Sequence, residues 1–142
     1  MEKHHQGFEV CVRAVIMYRG RILVCWHRLN KHYFFPGGHV EHGELAEKAL
    51  TRELKEELNI KVKKTSFIGL TENIYQEKHE INLVFRVLAD EVKDKSQEDH
   101  LDFAFLSPAE FRTKQVLPVS LQKSVAKWLK DKKIFRVCEV RR

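Results

Sequence analysis

The sequence predicts an α/β fold of the α+β kind, a mixed β-sheet with helices packed on it. Three observations carry this reading. Strand-like apolar runs stand before, between and after two helical segments, an order that calls for a sheet covered by helices. The 142 residues contain no internal repeat and no Gly/Pro/Ser-rich linker, so residues 1–142 read as a single domain. Apolar residues make up 43% and charged residues 32%, a soluble globular balance that fits poorly with disorder or a collagen-like repeat.

The elements follow in chain order. Val10 to Tyr18 is almost continuously apolar, as a strand buried on both faces would be. Arg19-Gly20 supplies a turn before a second run, Ile22 to Trp26, and the two read as a hairpin. Tyr33-Phe34-Phe35 leads into Pro36-Gly37-Gly38, a strong break. Glu44 to Leu58 has no Gly or Pro and is rich in Ala, Leu, Glu and Lys, which predicts a helix. Strand-like segments return at Ile60 to Val62, Ser66 to Leu70 and Glu80 to Ala89. Lys93 to His100 is polar and reads as a loop, and Leu101 to Leu106 as a short strand. Ser107-Pro108-Ala109-Glu110 has the cap and first-position proline of a short helical turn. Leu121, Val125, Trp128 and Leu129 fall on one face of a second helix, and Ile134 to Val140 leans to a strand.

No apolar run reaches the eighteen or so residues of a membrane span, and the first residues lead into no signal-peptide core. A cytoplasmic location is expected. Cys11, Cys25 and Cys138 are odd in number, widely spaced and free of any CxxC pair. Packed, reduced thiols are expected, with neither a disulfide framework nor a zinc site. The net charge of +6 is unevenly placed. Arg112 to Arg142 holds ten basic and two acidic residues, whereas residues 1–111 carry a net −2. The basic excess is therefore local to the C-terminal fifth.

The sharpest feature is Arg52-Glu53-Leu54-Lys55-Glu56-Glu57-Leu58. On a helix Glu53, Glu56 and Glu57 share one face within a turn. At about 100° per residue they interleave with the apolar positions Leu45, Ala46, Ala49, Leu50, Leu54 and Leu58, while Lys48, Thr51, Arg52 and Lys55 fill the opposite arc. Like charges so placed repel, and half-buried carboxylates need a neutralising cation. A hard divalent cation with oxygen ligands, Mg²⁺ or Mn²⁺, suits a carboxylate-only site; ordinary salt bridges with Lys and Arg are the plain alternative.

The flanking residues add to this. Gly38 is followed by five residues and Glu44, then by seven residues and Arg52-Glu53-Leu54-Lys55-Glu56-Glu57, then by Asn59-Ile60. This stretch resembles the Nudix box of the Nudix hydrolase family, matching every specified position except Asn59, where the family has Gly. A left-handed residue is expected just past the helix end, and Asn is the best non-Gly residue there.

The resemblance implies an α/β/α sandwich and hydrolysis of a pyrophosphate bond in a nucleoside diphosphate derivative or triphosphate, with Mg²⁺ or Mn²⁺ and an attacking water. It implies Glu53, Glu56 and Glu57 as metal ligands, the carbonyl of Gly38 as a further ligand, and Arg52 with Glu44 as the pair that orients the helix. The family's general base is a box glutamate or a carboxylate from a distant loop. Glu98 and Asp99 are the candidates outside the box, with Glu98 preferred as extra ligand or base.

Arg13 stands inside an apolar strand and either reaches a substrate phosphate or pairs with a structural partner. Trp26, His27, Arg28, Tyr33, Phe34 and Phe35 place aromatics and cations just before the box. Among these Arg28 and Tyr33 are candidate substrate contacts, core packing being the alternative for the aromatics. His39 and His42 sit at free positions of the box and read as loop or surface residues. Subgroup markers leave the substrate open. The proline of ADP-ribose hydrolases is replaced by Tyr75, the tyrosine of the dinucleoside polyphosphate group is out of place, and the upstream coenzyme A motif is absent.

A small nucleotide is the expected partner, with no membrane and nucleic acid unlikely. A homodimer is possible, with Ile134 to Val140 as an edge strand. Two other readings compete: a non-hydrolytic nucleotide-binding module of the same fold, and an RNA-end (cap-type) pyrophosphohydrolase that holds its strand through the basic C-terminal segment. The first is opposed by the intact carboxylates. The second predicts steep salt dependence.

Overall fold

The computed structural model describes residues 7–92 and 101–141. Nine strands form one mixed sheet: β1 (Phe8–Tyr18), β2 (Arg21–His27), β3 (His32–Phe34), β4 (Gly37–His39), β5 (Val62–Tyr75), β6 (Lys78–Ala89), β7 (Leu101–Leu106), β8 (Val116–Leu117) and β9 (Phe135–Arg141). Helices α1 (Ala46–Leu58), α2 (Pro108–Thr113) and α3 (Val119–Asp131) connect them. The sheet runs β8-β3-β2-β1-β6-β5-β9, with β4 added to β1 and β7 to β2. The β1–β6, β3–β8 and β5–β9 pairs are parallel and the rest antiparallel.

Strand alternation sends each face of the sheet to a separate core. Val12, Ala14 and Ile16 of β1 meet Ala49, Leu50, Leu54 and Leu58 of α1 on one face. Val15 of the same strand joins Val84, Phe111, Leu121, Val125 and Trp128 on the other, beneath α2 and α3. The α/β/α arrangement is thus the one that hides both faces. Each fully buried leucine of α1 contributes about 1.5–3 kcal/mol of apolar burial.

Several boundaries differ from the expected ones. Helix α1 starts at Ala46, not Glu44, because Leu45 is still extended and caps without a side-chain bond. Leu45 is 73% exposed and does not join the apolar stripe. The two strands expected at Ile60–Val62 and Ser66–Leu70 are one strand, β5, whose irregularities at Val62/Lys64 and Phe67/Gly69 break the alternation the sequence displays. The expected helical turn at Ser107 is a short helix with a full capping box between Ser107 and Glu110. The C-terminal segment is a strand, β9, paired to β5 at the edge of the sheet. The loop expected at Lys93 to His100, with Glu98 and Asp99, lies outside the described residues.

Candidate active site

Chain reversal at Phe35-Pro36-Gly37 lays β4 antiparallel against β1, with Gly37 opposite Arg13 and Gly38 opposite Val12. Helix α1 then packs over β4. The contact is so close that a Cβ on Gly38 would overlap the Glu53 carboxylate. Gly38 thus provides a cradle of bare main chain, and Glu53 fills it. At the other end of α1, Asn59 takes the left-handed conformation (φ 54°, ψ 36°), and the N–H groups of Asn59 and Ile60 bond the last-turn carbonyls of Lys55 and Leu54. Asparagine thus does at this C-cap what glycine usually does.

Arg52 is the hub of the carboxylates. Its Nε and one terminal nitrogen donate to the two oxygens of Glu44 at 2.8 and 3.0 Å, a bidentate fork. The other terminal nitrogen donates to Glu53 at 2.6 Å and Glu56 at 3.3 Å. A further bond reaches the His39 carbonyl at 3.2 Å. Arg52, together with the Glu41 backbone N–H, holds the Glu44 carboxyl down to about 2. Glu44 first, and Glu53 with it, push the Arg52 guanidinium upward. The helical wheel put Arg52 on the solvated arc, yet its side chain is only 27% exposed. A wheel tracks the start of a side chain, and this long one folds back over β4.

Glu53 and Glu57 line a cavity of about 740 Å³ together with Gly38, His39 and Arg13. Glu56, although it shares the apolar arc of the helix with the other two, is 61% exposed, does not line the cavity and, among the described residues, meets the group through Arg52. An all-oxygen set beside a bare glycine carbonyl fits a hard divalent cation, Mg²⁺ or Mn²⁺.

Arg13 has structural partners, Asn82 Oδ1 at 3.2 Å and the Phe35 carbonyl at 3.0 Å, and it also lines the cavity. Its structural partners are thus an amide and a main-chain carbonyl, and its side chain stands at the cavity wall. Tyr33 and Arg28 are not brought to the cavity. Tyr33 packs against Trp26, with ring centroids 4.6 Å apart and the rings tilted by 56°, on the core beneath α3. Its neighbours His32 and Phe34 face the cavity instead, because alternate residues of a strand point opposite ways. Arg28 pairs with Asp102 at 3.1 Å at the surface.

Two further side-chain groups border this cavity. Glu9 and Cys11 of β1 and His39 of β4 place one donor atom each within 4.8 Å of one another. Glu9 also meets His39 at 3.3 Å and Lys78 at 3.4 Å; burial pushes its carboxyl up, but those two neighbours hold it below its usual range. Because the set spans two strands, no CxxC-like spacing announces it. The second group is the polar floor made by Thr71, Asn73, Glu80 and Asn82, all buried. Its signal in the sequence is a pair of polar residues at alternate positions in each of two strands, Thr71 and Asn73 in β5 and Glu80 and Asn82 in β6.

The NUDIX domain model matches residues 7–130. The chain belongs to the NUDIX family. Among curated proteins, this NUDIX chain is 33% identical over 91 residues to a Bacillus subtilis (strain 168) protein named, provisionally, as the 8-oxo-dGTP diphosphatase YtkD. That match covers 64% of this chain and 56% of YtkD, little more than half of the relative's length. Among solved structures, the MutT protein of Methanosarcina mazei Go1 superposes with a TM-score of 0.78 at 20% identity, covering 92% of this chain and 99% of that one. The E. coli ORF135 protein gives 0.74 at 21% identity, over 90% and 95%. These two likenesses establish the shared NUDIX fold.

Proposed function

We propose that this NUDIX protein is a Mg²⁺- or Mn²⁺-dependent pyrophosphohydrolase that cleaves a phosphoanhydride bond of a nucleoside triphosphate or a nucleoside diphosphate derivative. The observation that carries the reading is the carboxylate assembly on the bare Gly38 main chain, clamped by Arg52 and opening into a nucleotide-sized cavity. The similarity to YtkD makes an oxidised purine triphosphate the first substrate to try. Unpaired Cys11, Cys25 and Cys138 fit a reducing, cytoplasmic setting.

Glu53, Glu56, Glu57 and the Gly38 carbonyl would hold the cation. When bound, a divalent cation offsets phosphate charge and lowers the pKa of water. The chain's own residues do the rest. Arg52 fixes the direction of the Glu44 and Glu53 carboxylates, so their repulsion is offset before substrate arrives. Arg13, anchored by Asn82 and the Phe35 carbonyl, presents its remaining guanidinium N–H groups to a phosphate oxygen. Water adds across the P–O–P link: its oxygen bonds to phosphorus and the bridging oxygen leaves with the departing phosphate group. A box carboxylate or Glu98 accepts the proton of the attacking water.

The test is a panel of canonical and oxidised nucleoside triphosphates, ADP-ribose and dinucleoside polyphosphates, each incubated with and without Mg²⁺ and resolved by chromatography. At least one is expected to be hydrolysed only with the cation. Tight binding without turnover on every member would favour the non-hydrolytic module.

A further inference from the structure

Strand β6 reads Lys78-His79-Glu80-Ile81-Asn82-Leu83-Val84. Glu80, Asn82 and Val84 share one face of the sheet, the face that α3 covers. Val84 lies in the core beneath that helix, Glu80 lines the cavity, and Asn82 stands between them along the strand. Glu80 is 9% exposed and lines the cavity wall; Asn82 is fully buried.

The hydrogen bonds fix the polarity of this wall. Asn82 Oδ1 accepts from Arg13 Nε at 3.2 Å, so its NH₂ group points the other way. That NH₂ donates to Glu80 Oε1 at 2.9 Å and to Thr71 Oγ1 at 3.4 Å. Glu80 is thereby set as an acceptor. Among the described residues it has no ion pair, and the cation beside it, Lys78, is paired with Glu9 at 3.4 Å. A carboxylate this buried, with one neutral donor, is unfavourable unless a ligand brings further N–H groups. Its second oxygen has no protein donor among those residues.

We propose that Glu80 is a base-reading residue that selects guanine by accepting hydrogen bonds from the ring N1–H and the exocyclic N2–H₂. The proposal rests on the nucleotide reading above. Two adjacent donors spaced for one carboxylate occur on that base edge. Adenine and cytosine offer an amino group beside a ring-nitrogen acceptor, which the carboxylate repels. Thymine and uracil offer one N–H between two carbonyls. Hypoxanthine keeps N1–H but lacks the amino group. Atom C8 lies on the opposite side of the purine, so Glu80 reads guanine whether or not C8 is oxidised.

The experiment compares wild type with Glu80→Gln, a near-isosteric change, on dGTP, dITP, dATP and 8-oxo-dGTP. In wild type, kcat/KM for dGTP exceeds that for dITP by about tenfold to a hundredfold, as for a charge-assisted hydrogen bond. In E80Q the dGTP value falls by about tenfold or more and the dGTP:dITP ratio moves towards one, while the 8-oxo-dGTP:dGTP ratio stays unchanged. An equal loss on all four nucleotides would overturn the proposal, because it would mark Glu80 as part of the hydrolytic machinery or as a support for Arg13. An unchanged dGTP:dITP ratio would overturn it too. Equilibrium binding of dGTP and dITP in EDTA, with and without the substitution, separates the two readings. A guanine preference lost in E80Q under those conditions upholds the role of Glu80 even if no turnover is found. No preference in wild type sinks it whatever the activity.

Discussion

Adjacent glycines in β4 should respond to alanine in opposite ways. At Gly38 the backbone is outside the left-handed region, so alanine brings no main-chain strain, but its Cβ overlaps the Oε2, Cδ and Cγ atoms of Glu53. The Glu53 side chain can yield without disturbing the fold. It is tied to Arg52 at 2.6 Å, so yielding means moving the carboxylate by about 1 Å off its site. A displacement of that size costs about a hundredfold in turnover, equivalent to about 2.7 kcal/mol. Stability should change by less than about 1 kcal/mol. At Gly37, φ is 149° and the new Cβ meets the Val12 carbonyl, which belongs to the central strand and cannot yield. Gly37→Ala should therefore lower stability by about 1–3 kcal/mol or more. Thermal melting and initial rates of nucleotide hydrolysis, measured on both variants, check this. A Gly38→Ala protein with wild-type turnover would refute the placement of Glu53 in the site. One that melts as low as Gly37→Ala would refute the claim that the cradle is functional.

Other outcomes follow from the electrostatics. Glu44 ionises at about 2 in the folded chain against an ordinary value of 4.5, mainly because of the Arg52 fork. The unfolded chain takes up that proton first on acidification, so the stabilisation is present above about pH 4.5 and fades as pH falls towards 2. The stability gap between wild type and Glu44→Gln, followed by denaturant titration, should be constant from pH 5 to 7 and narrow below that; a gap that widens in acid contradicts the assignment. Burial pushes the thiols of Cys11 and Cys25 upward, the former to about 11, while Cys138 is exposed. One thiol should react quickly with an aromatic disulfide at pH 8 in the native protein, and two only in denaturant. Three fast thiols would contradict this packing.

The box was legible because its spacing is dense with fixed positions, and the charges that make it unusual lie on one short helix. What the sequence hides is parity and reach. Tyr33, His32 and Phe34 are equivalent in composition, and only the pairing of β3 with β2, Trp26 opposite Tyr33, decides which face each takes. The wheel placed the start of the Arg52 and Glu56 side chains but not their ends; the first folds inward to Glu44 and the second stays in solvent. Strands β3, β4 and β8 have two or three residues each, too few to show any period. The polar floor was in principle readable, since Glu80 and Asn82 interrupt an apolar strand at alternate positions. A buried acid in a strand becomes meaningful only once a cavity is known to face it.

The most direct test of the account is the rate of Mg²⁺-dependent hydrolysis of the best nucleotide substrate by wild type and Glu57→Gln, side by side across a Mg²⁺ titration. Glu57 lines the cavity beside Glu53 and is expected to hold the cation. Turnover in the variant should fall by at least about a hundredfold, with a raised Mg²⁺ requirement and an unchanged melting profile. Wild-type activity and wild-type Mg²⁺ dependence in Glu57→Gln would contradict the metal-site assignment on which the functional reading stands.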